Sequence, residues 1–122
     1  MSGIDYLADT NALIYLLSGN PCMEPYLSAR LGVSVISEME LLSFPGISPD
    51  ETNTIRSFLG ECASLLLDTA VKERTISLRK QYRIKLPDAI IAATAVEKGM
   101  PLITADRGFT KIEELSLELL QP

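Results

Sequence analysis

Short apolar runs alternate with helical patterns along the first third of the chain. Residues 4–9 (IDYLAD) form an apolar run that ends in an acid, and a helical stretch (ALIYLL) follows it. A β-branched run over 31–37 (LGVSVIS) predicts a second strand, and residues 38–44 predict a helix that Pro45-Gly46 ends. Apolar runs of this kind, each followed by a helix, are typical of buried parallel strands.

The same alternation continues to the C-terminus. Ser48-Pro49-Asp50-Glu51 predicts a helix start, because it combines a hydroxyl cap, a proline in the first position and acids in the first turn. Further strands are predicted at 65–68, 100–104 and 117–120, and further helices at 69–82 and from Leu86 to Gly99. The pattern predicts an α/β fold with a mostly parallel, doubly wound sheet of about five strands, built as a single domain over residues 1–122.

Composition and charge remove several classes of function. The chain is acidic, with a net charge of −5, so general basicity cannot be what holds a nucleic acid. It contains no histidine, which excludes Ser–His or Cys–His nucleophiles and His-ligated zinc. Cys22 and Cys62 lack metal-like spacing and are expected to be reduced thiols. No export signal or membrane-length apolar run stands out, so a cytoplasmic location is expected.

Four acids fall where an open α/β sheet gathers its ligands. Asp9 follows the first strand, Glu40 follows the second, Asp106 lies just beyond the fourth, and Asp88 opens a helix. Carboxylates held together repel one another unless they take up protons or bind a divalent cation, and a set of oxygen ligands selects Mg²⁺ or Mn²⁺. The alternative is that these acids only cap helices and interact with helix dipoles.

Four blocks in this order give the chain a resemblance to a known family. LADTNALIYLL, SVISEMELLSFP, LPDAIIAATA and PLITADRGF together resemble the PIN domain, in particular the VapC-type ribonuclease toxins of bacterial toxin–antitoxin pairs. The resemblance implies a three-layer α/β/α sandwich. It also implies that four acids are the catalytic and metal-binding residues, supported by the polar side chains of Asn11 and Thr104. Those acids are Asp9, Glu40, Asp88 and Asp106.

The activity that the resemblance implies is hydrolysis of RNA by a Mg²⁺- or Mn²⁺-dependent endoribonuclease, leaving 5′-phosphate and 3′-hydroxyl ends. Glu40 would hold a metal-bound water or act as general base. Many relatives carry another Asp where this chain has Gly108, which weakens the case for a second metal ion. The implied partners are the RNA substrate, a cognate antitoxin and a second copy of the chain.

Other residues leave alternatives open. Glu38 competes with Glu40, but residues two apart do not share a helix face, and Glu40 fits the family block better. Leu13, Leu16 and Leu17 form one helix face that belongs either to the core or to a partner surface. A basic segment over 72–85 is either a solvated helix face or a strip that binds RNA phosphates or an acidic segment of the antitoxin. The residues proposed to contact RNA or antitoxin are Arg79, Arg83, Lys85 and Arg107.

Three other functions compete with that of a ribonuclease. A PIN-fold module that binds RNA or a protein without cutting would keep the same acids. A phosphoacceptor receiver domain matches the length and sheet, and Asp68 could be its acceptor. However, Asp9 is followed by Thr10-Asn11 rather than by an acid, and no lysine follows the last strand. A haloacid-dehalogenase-type phosphatase would need an acid where Asn11 stands.

Overall fold

The computed structural model describes residues 3–122, which form five strands and five α-helices with two short 3-10 helices. The strands are β1 (Tyr6–Ala8), β2 (Leu31–Ser34), β3 (Ala63–Leu65), β4 (Leu102–Thr104) and β5 (Leu117–Leu119). The α-helices are α1 (Thr10–Leu17), α2 (Val35–Leu42), α3 (Pro49–Gly60), α4 (Thr69–Gln81) and α5 (Leu86–Lys98). The 3-10 helices are Pro21–Tyr26 and Arg107–Lys111.

The sheet is parallel throughout, with strand order β3-β2-β1-β4-β5. The chain begins at the centre, moves outward through β2 and β3, and then crosses to the other side of β1. The strand order therefore reverses between β1 and β4, and the crevice beyond their carboxyl ends is where such sheets bind ligands. This arrangement confirms the predicted doubly wound sheet.

Helices cover both faces of the sheet, as the three-layer prediction requires. Leu7 and Leu102 point to the face where α4 and α5 pack, and Ala8 and Ile103 point to the opposite face, toward α1 to α3. Neighbouring residues of a strand alternate between faces, so strands of three residues supply both apolar cores. The helix α5 is buried along most of its length, because Ala89 to Ala95 are all covered by the fold.

The buried core includes Leu7, Ile90, Ile91, Ala93 and Ile103. Tyr6 is only half-buried. The face of α1 is divided, because Leu13 is fully buried while Leu17 lines a surface groove. Both cysteines are free thiols, and no helix within residues 3–122 has the length and apolar character needed to cross a membrane.

Two predicted strand boundaries are wrong. The second strand ends at Ser34 rather than at residue 37, because the Ser34 hydroxyl accepts a hydrogen bond from the Ile36 amide and starts α2 three residues earlier than predicted. The third strand is Ala63–Leu65 rather than 65–68. Asp68 instead caps α4, since its carboxylate accepts a hydrogen bond of 2.9 Å from the Val71 amide.

Candidate active site

The four acids singled out from the sequence line one cleft. The cleft has a volume of about 260 Å³ and lies beyond the carboxyl ends of β1 and β4, at the reversal of strand order. Thr10 and Asn11, from the first turn of α1, also line it. The acids that meet there are Asp9, Glu40, Asp88 and Asp106. The structure therefore joins residues that are nearly a hundred positions apart.

Asp9 is the most buried of these acids, at 6% exposed. One carboxylate oxygen accepts a hydrogen bond of 2.8 Å from the Ala12 amide and so caps α1. The other accepts a hydrogen bond of 2.5 Å from the hydroxyl of Thr104. Burial raises the pKa of Asp9 above its ordinary value, and the charges of Asp106 and Asp88 add to the rise; the two hydrogen bonds oppose it.

Asp88 lies in the first turn of α5 and is half-buried. Burial raises its pKa above the ordinary value, and the nearby charges of Asp106 and Glu40 raise it further, while Lys85 lowers it. Its carboxylate receives no hydrogen bond from residues 3–122, in contrast to that of Asp9. Asp88 is therefore the acid whose oxygens are most available to a ligand.

Asp106 is positioned by the turn that follows β4. Its amide donates a hydrogen bond of 3.0 Å to the Thr104 hydroxyl, and its carboxylate accepts one of 2.8 Å from the Gly108 amide. Thr104 therefore links Asp106 to Asp9, as expected of a polar residue that supports the acids. A Cβ atom at Gly108 would lie 3.0 Å from the Asp106 carboxylate, so a larger residue there requires a small shift of that side chain.

Glu40 reaches the cleft from the second turn of α2 and is oriented by α1. Its carboxylate lies 2.6 Å from the hydroxyl of Thr10, which is also 2.9 Å from the hydroxyl of Ser37. A hydroxyl carries one proton, and a carboxylate only accepts, so Thr10 donates to Glu40 and accepts from Ser37. Sequence reasoning missed both hydroxyls. Thr10 was detectable from the sequence as a candidate site residue, because it directly follows Asp9 and begins α1.

Glu38 does not line the cleft. It lies close to Cys62, where burial first, and then the charges of Glu61 and Glu38, raise the pKa of the thiol. The two glutamates therefore take opposite sides of α2, with Glu40 on the cleft side. Asp5 is exposed at the start of the first strand, where its carboxylate accepts a hydrogen bond from the Arg30 amide.

The donor atoms of the cleft suit a hard divalent cation. All four acids supply carboxylate oxygen, the ligand that Mg²⁺ and Mn²⁺ prefer, and neither histidine nor thiolate is among its lining residues. Across residues 3–122, no three Asp, Glu, Cys or His side chains are grouped as a metal ion would require. In this arrangement carboxylate oxygens of Asp9, Glu40 and Asp106 accept hydrogen bonds from the protein.

Basic residues adjoin the acidic cleft on one side. A second cleft of about 250 Å³ is lined by Arg83, Lys85 and Lys111, together with Asp88 and Asp106. The predicted contact residue Arg79 lies farther along, in a third cleft with Arg83. Arg107, the remaining predicted contact residue, is exposed and lines neither the acidic cleft nor these two.

The fold and the site define an α/β protein with a carboxylate cleft at the reversal of strand order. Residues 6–115 match the family model of the PIN domain, and the chain belongs to that family. This membership removes the receiver and dehalogenase-type alternatives. Among curated proteins, none matches the chain.

Solved structures of toxin–antitoxin proteins are similar to the whole chain. A toxin–antitoxin complex from Klebsiella pneumoniae is 32% identical, with a TM-score of 0.80 over 91% of this chain and 95% of the other. VapBC-1 from nontypeable Haemophilus influenzae is 24% identical, with a TM-score of 0.79 over 95% and 98% of the two chains. DNA-bound VapBC from Salmonella typhimurium is 22% identical, with a TM-score of 0.79 over 94% and 97%.

Proposed function

We propose that this protein is the toxin of a VapBC-type toxin–antitoxin pair and acts as a metal-dependent endoribonuclease. The observation that carries the proposal is the meeting of four carboxylates in one cleft at the reversal of strand order. PIN-domain membership supports a nuclease, and the similarity to the toxin–antitoxin complex from Klebsiella pneumoniae supports the toxin assignment. The RNA-binding module without catalysis is the competing function.

The metal in this proposal is Mg²⁺ or Mn²⁺, held by Asp9, Asp88 and Asp106 with Glu40 beside them. When bound, the cation supplies Lewis-acid chemistry: it lowers the pKa of a water molecule and neutralises charge that develops on the phosphate. The raised pKa of Asp9 and Asp88 supports the assignment, because crowded and partly buried carboxylates gain most from a positive charge.

The protein's own groups have distinct tasks in this proposal. Thr104 holds Asp9 in one orientation through its short hydrogen bond, and the cap on α1 holds the other oxygen. Thr10 orients Glu40. In this proposal Glu40 takes a proton from the attacking water as general base. In this hydrolysis water adds to the phosphorus and the P–O3′ bond breaks. One product then carries a 5′-phosphate, and the departing oxygen takes up a proton to become the 3′-hydroxyl of the other.

The proposal includes a cognate antitoxin and a homodimer. An apolar groove of about 590 Å³ lies beside the acidic cleft and shares Ile14, Leu41 and Phe44 with it. A protein segment seated in this groove would bury exposed apolar side chains and block the cleft at the same time. The homodimer is tested by the mass of the purified toxin in analytical ultracentrifugation.

The experiment that tests the activity is cleavage of a panel of tRNA and structured RNA by the antitoxin-free protein. Reactions contain Mg²⁺ or Mn²⁺, or EDTA, and are repeated with the variant Asp88→Asn. Cleavage that needs the metal and is lost in the variant supports the nuclease. Binding of RNA with no cleavage by folded wild-type protein would favour the binding module instead, and cleavage that survives Asp88→Asn would refute the site.

A further inference from the structure

Three neighbouring clefts of the surface share lining residues, and we call this series of clefts the groove. The acidic cleft shares Asp88, Asp106 and Phe109 with the second cleft. The second cleft shares Arg83 and Ile84 with the third, which has a volume of about 510 Å³. Because each cleft borders the next, an extended ligand bound in the third cleft lies beside the second and leads toward the acidic one.

The charge of the groove changes sign along this path. Beyond the acids, the second and third clefts are lined by five cations, which we call the basic track: Arg79, Lys80, Arg83, Lys85 and Lys111. None of them forms a salt bridge within residues 3–122, where the ion pairs use Arg74 and Lys98. The basic track is therefore a local concentration of free positive charge on a protein with a net charge of −5.

The segment that carries the track is fixed to the fold. Lys111 donates a hydrogen bond to the carbonyl of Arg83, and the Arg79 guanidinium donates one of 3.3 Å to the carbonyl of Ile84. The Tyr82 hydroxyl donates one of 2.8 Å to the Glu114 carboxylate. These three bonds hold the backbone between α4 and α5, while the side chains of Arg83 and Lys85 are exposed.

We propose that the basic track binds the phosphates of the RNA strand that leads into the acidic cleft, with Arg83 and Lys85 next to the cleft. This inference rests on the proposed function and names where its substrate binds. Four carboxylates repel a polyanion to the extent that no bound cation neutralises them, so cations outside the cleft add to the affinity for RNA. The apolar groove borders the cleft through Ile14, Leu41 and Phe44 and includes none of the track residues, so a protein segment in that groove leaves the track open.

The test is fluorescence anisotropy with a fluorescein-labelled single-stranded 12-nucleotide oligouridylate, with Ca²⁺ replacing Mg²⁺ and intact probe verified on a gel. Arg83→Ala/Lys85→Ala is compared with Arg56→Ala/Lys72→Ala, a matched pair of exposed cations on α3 and α4 that line no part of the groove. Thermal denaturation confirms that each variant is folded. Single-turnover cleavage in Mg²⁺ is measured on the same preparations.

We expect the track variant to lose affinity and the matched variant to bind like the wild type. The loss of two phosphate contacts should reduce the slope of log Kd against log salt concentration by about 1.4. When salt is raised from 50 to 200 mM, the Kd of the wild type should therefore increase by a factor about sevenfold larger than that of the variant. Equal affinities and slopes for all three proteins would refute the inference, even with metal-dependent cleavage intact. Variants that keep RNA affinity but lose an acidic protein partner would refute it as well. A wild type that neither binds nor cuts RNA would instead refute the proposed function, and the inference with it.

Discussion

The hydrogen bond between Thr104 and Asp9 offers a sharp test of how the cleft is held together. The variant Thr104→Val keeps the shape of a fully buried side chain and removes its hydroxyl. The Asp9 carboxylate then loses its 2.5 Å donor, and the Asp106 amide loses its 3.0 Å acceptor. Asp9 is only 6% exposed, which limits the access of water to the place of the lost donor.

The expected loss of stability follows from that geometry. A hydrogen bond to a charged group contributes about 1.5–3 kcal/mol to the free energy of unfolding. Because the variant also leaves the Asp106 amide without its acceptor, we expect a loss in the upper part of that range, about 2–3 kcal/mol. An unfolding entropy of about 2.1 cal/mol/K per residue gives about 0.26 kcal/mol/K for 122 residues. The variant should therefore unfold about 8–12 °C below the wild type.

Thr94→Val is the matched control. Thr94 is 1% exposed, and its hydroxyl donates to the carbonyl of Ile90 inside α5, not to a carboxylate. We expect this variant to lose less than about 1 kcal/mol, or about 4 °C. Thermal denaturation at pH 7 in EDTA measures both. Equal decreases in Tm for the two variants would show that the hydrogen bond to Asp9 stabilises the fold no more than the bond inside α5, and would refute the reasoning.

The remaining predictions concern charge, orientation and partner binding. Because the pKa of Asp88 is raised in the folded state, ionisation of this carboxyl destabilises the metal-free protein. The variant Asp88→Asn should therefore have a higher Tm than the wild type at pH 7 in EDTA. This difference in Tm should disappear below pH 3.8, the ordinary pKa of the carboxyl. Mn²⁺ at a hundredfold excess over Kd should stabilise the wild type by about 2.7 kcal/mol and this variant by much less. Thr10→Val should lower kcat for RNA cleavage about 10- to 100-fold with KM unchanged, because Glu40 loses its orienting donor; a change confined to KM would contradict that role. Phe44→Asp, in the apolar groove, should prevent co-purification with the co-expressed antitoxin. The control is Leu66→Asp, which should still co-purify; Leu66 is 67% exposed and Phe44 is 63% exposed, but Leu66 lies outside the apolar groove.

Helix starts and ends were predictable from the sequence because they depend on local chemistry. Ser48 and Glu51 form reciprocal hydrogen bonds that begin α3 where predicted. Gly99 ends α5 with a left-handed backbone at φ 67°, which glycine adopts without strain. Asp68 caps α4 directly before the predicted helix start at Thr69.

The end of β2 could not be predicted in the same way. Val35 and Ile36 are β-branched and favour a strand, yet they form the first turn of α2. The Ser34 cap and the packing of α2 against the sheet outweigh that preference, and neither is visible in the residue pattern alone. The two 3-10 helices were missed for a similar reason, since short turns have no periodicity to detect.

The meeting of the four acids and the support from Thr104 were predictable, but the contacts that orient Glu40 and the basic segment were not. Asp9, Glu40 and Asp106 follow predicted strands, and the topology of a parallel sheet brings such positions to one edge. The bond from Thr10 to Glu40 joins α1 to α2, and the bond from Lys111 to the Arg83 carbonyl joins the second 3-10 helix to the segment before α5. Contacts of this kind depend on how elements pack, which spacing along the chain does not encode.

The central claim is that the carboxylate cleft is the active site of a metal-dependent ribonuclease, and α2 provides its most direct test. Glu40→Gln and Glu38→Gln make the same chemical change on opposite sides of one helix, and only the first alters the cleft. Single-turnover RNA cleavage is measured for both variants in Mg²⁺ and in EDTA. We predict that Glu40→Gln lowers the Mg²⁺-dependent rate at least about 100-fold, as expected for loss of a general base, while Glu38→Gln retains the wild-type rate. Equal rates for the two variants, or wild-type cleavage that persists in EDTA, would contradict the account.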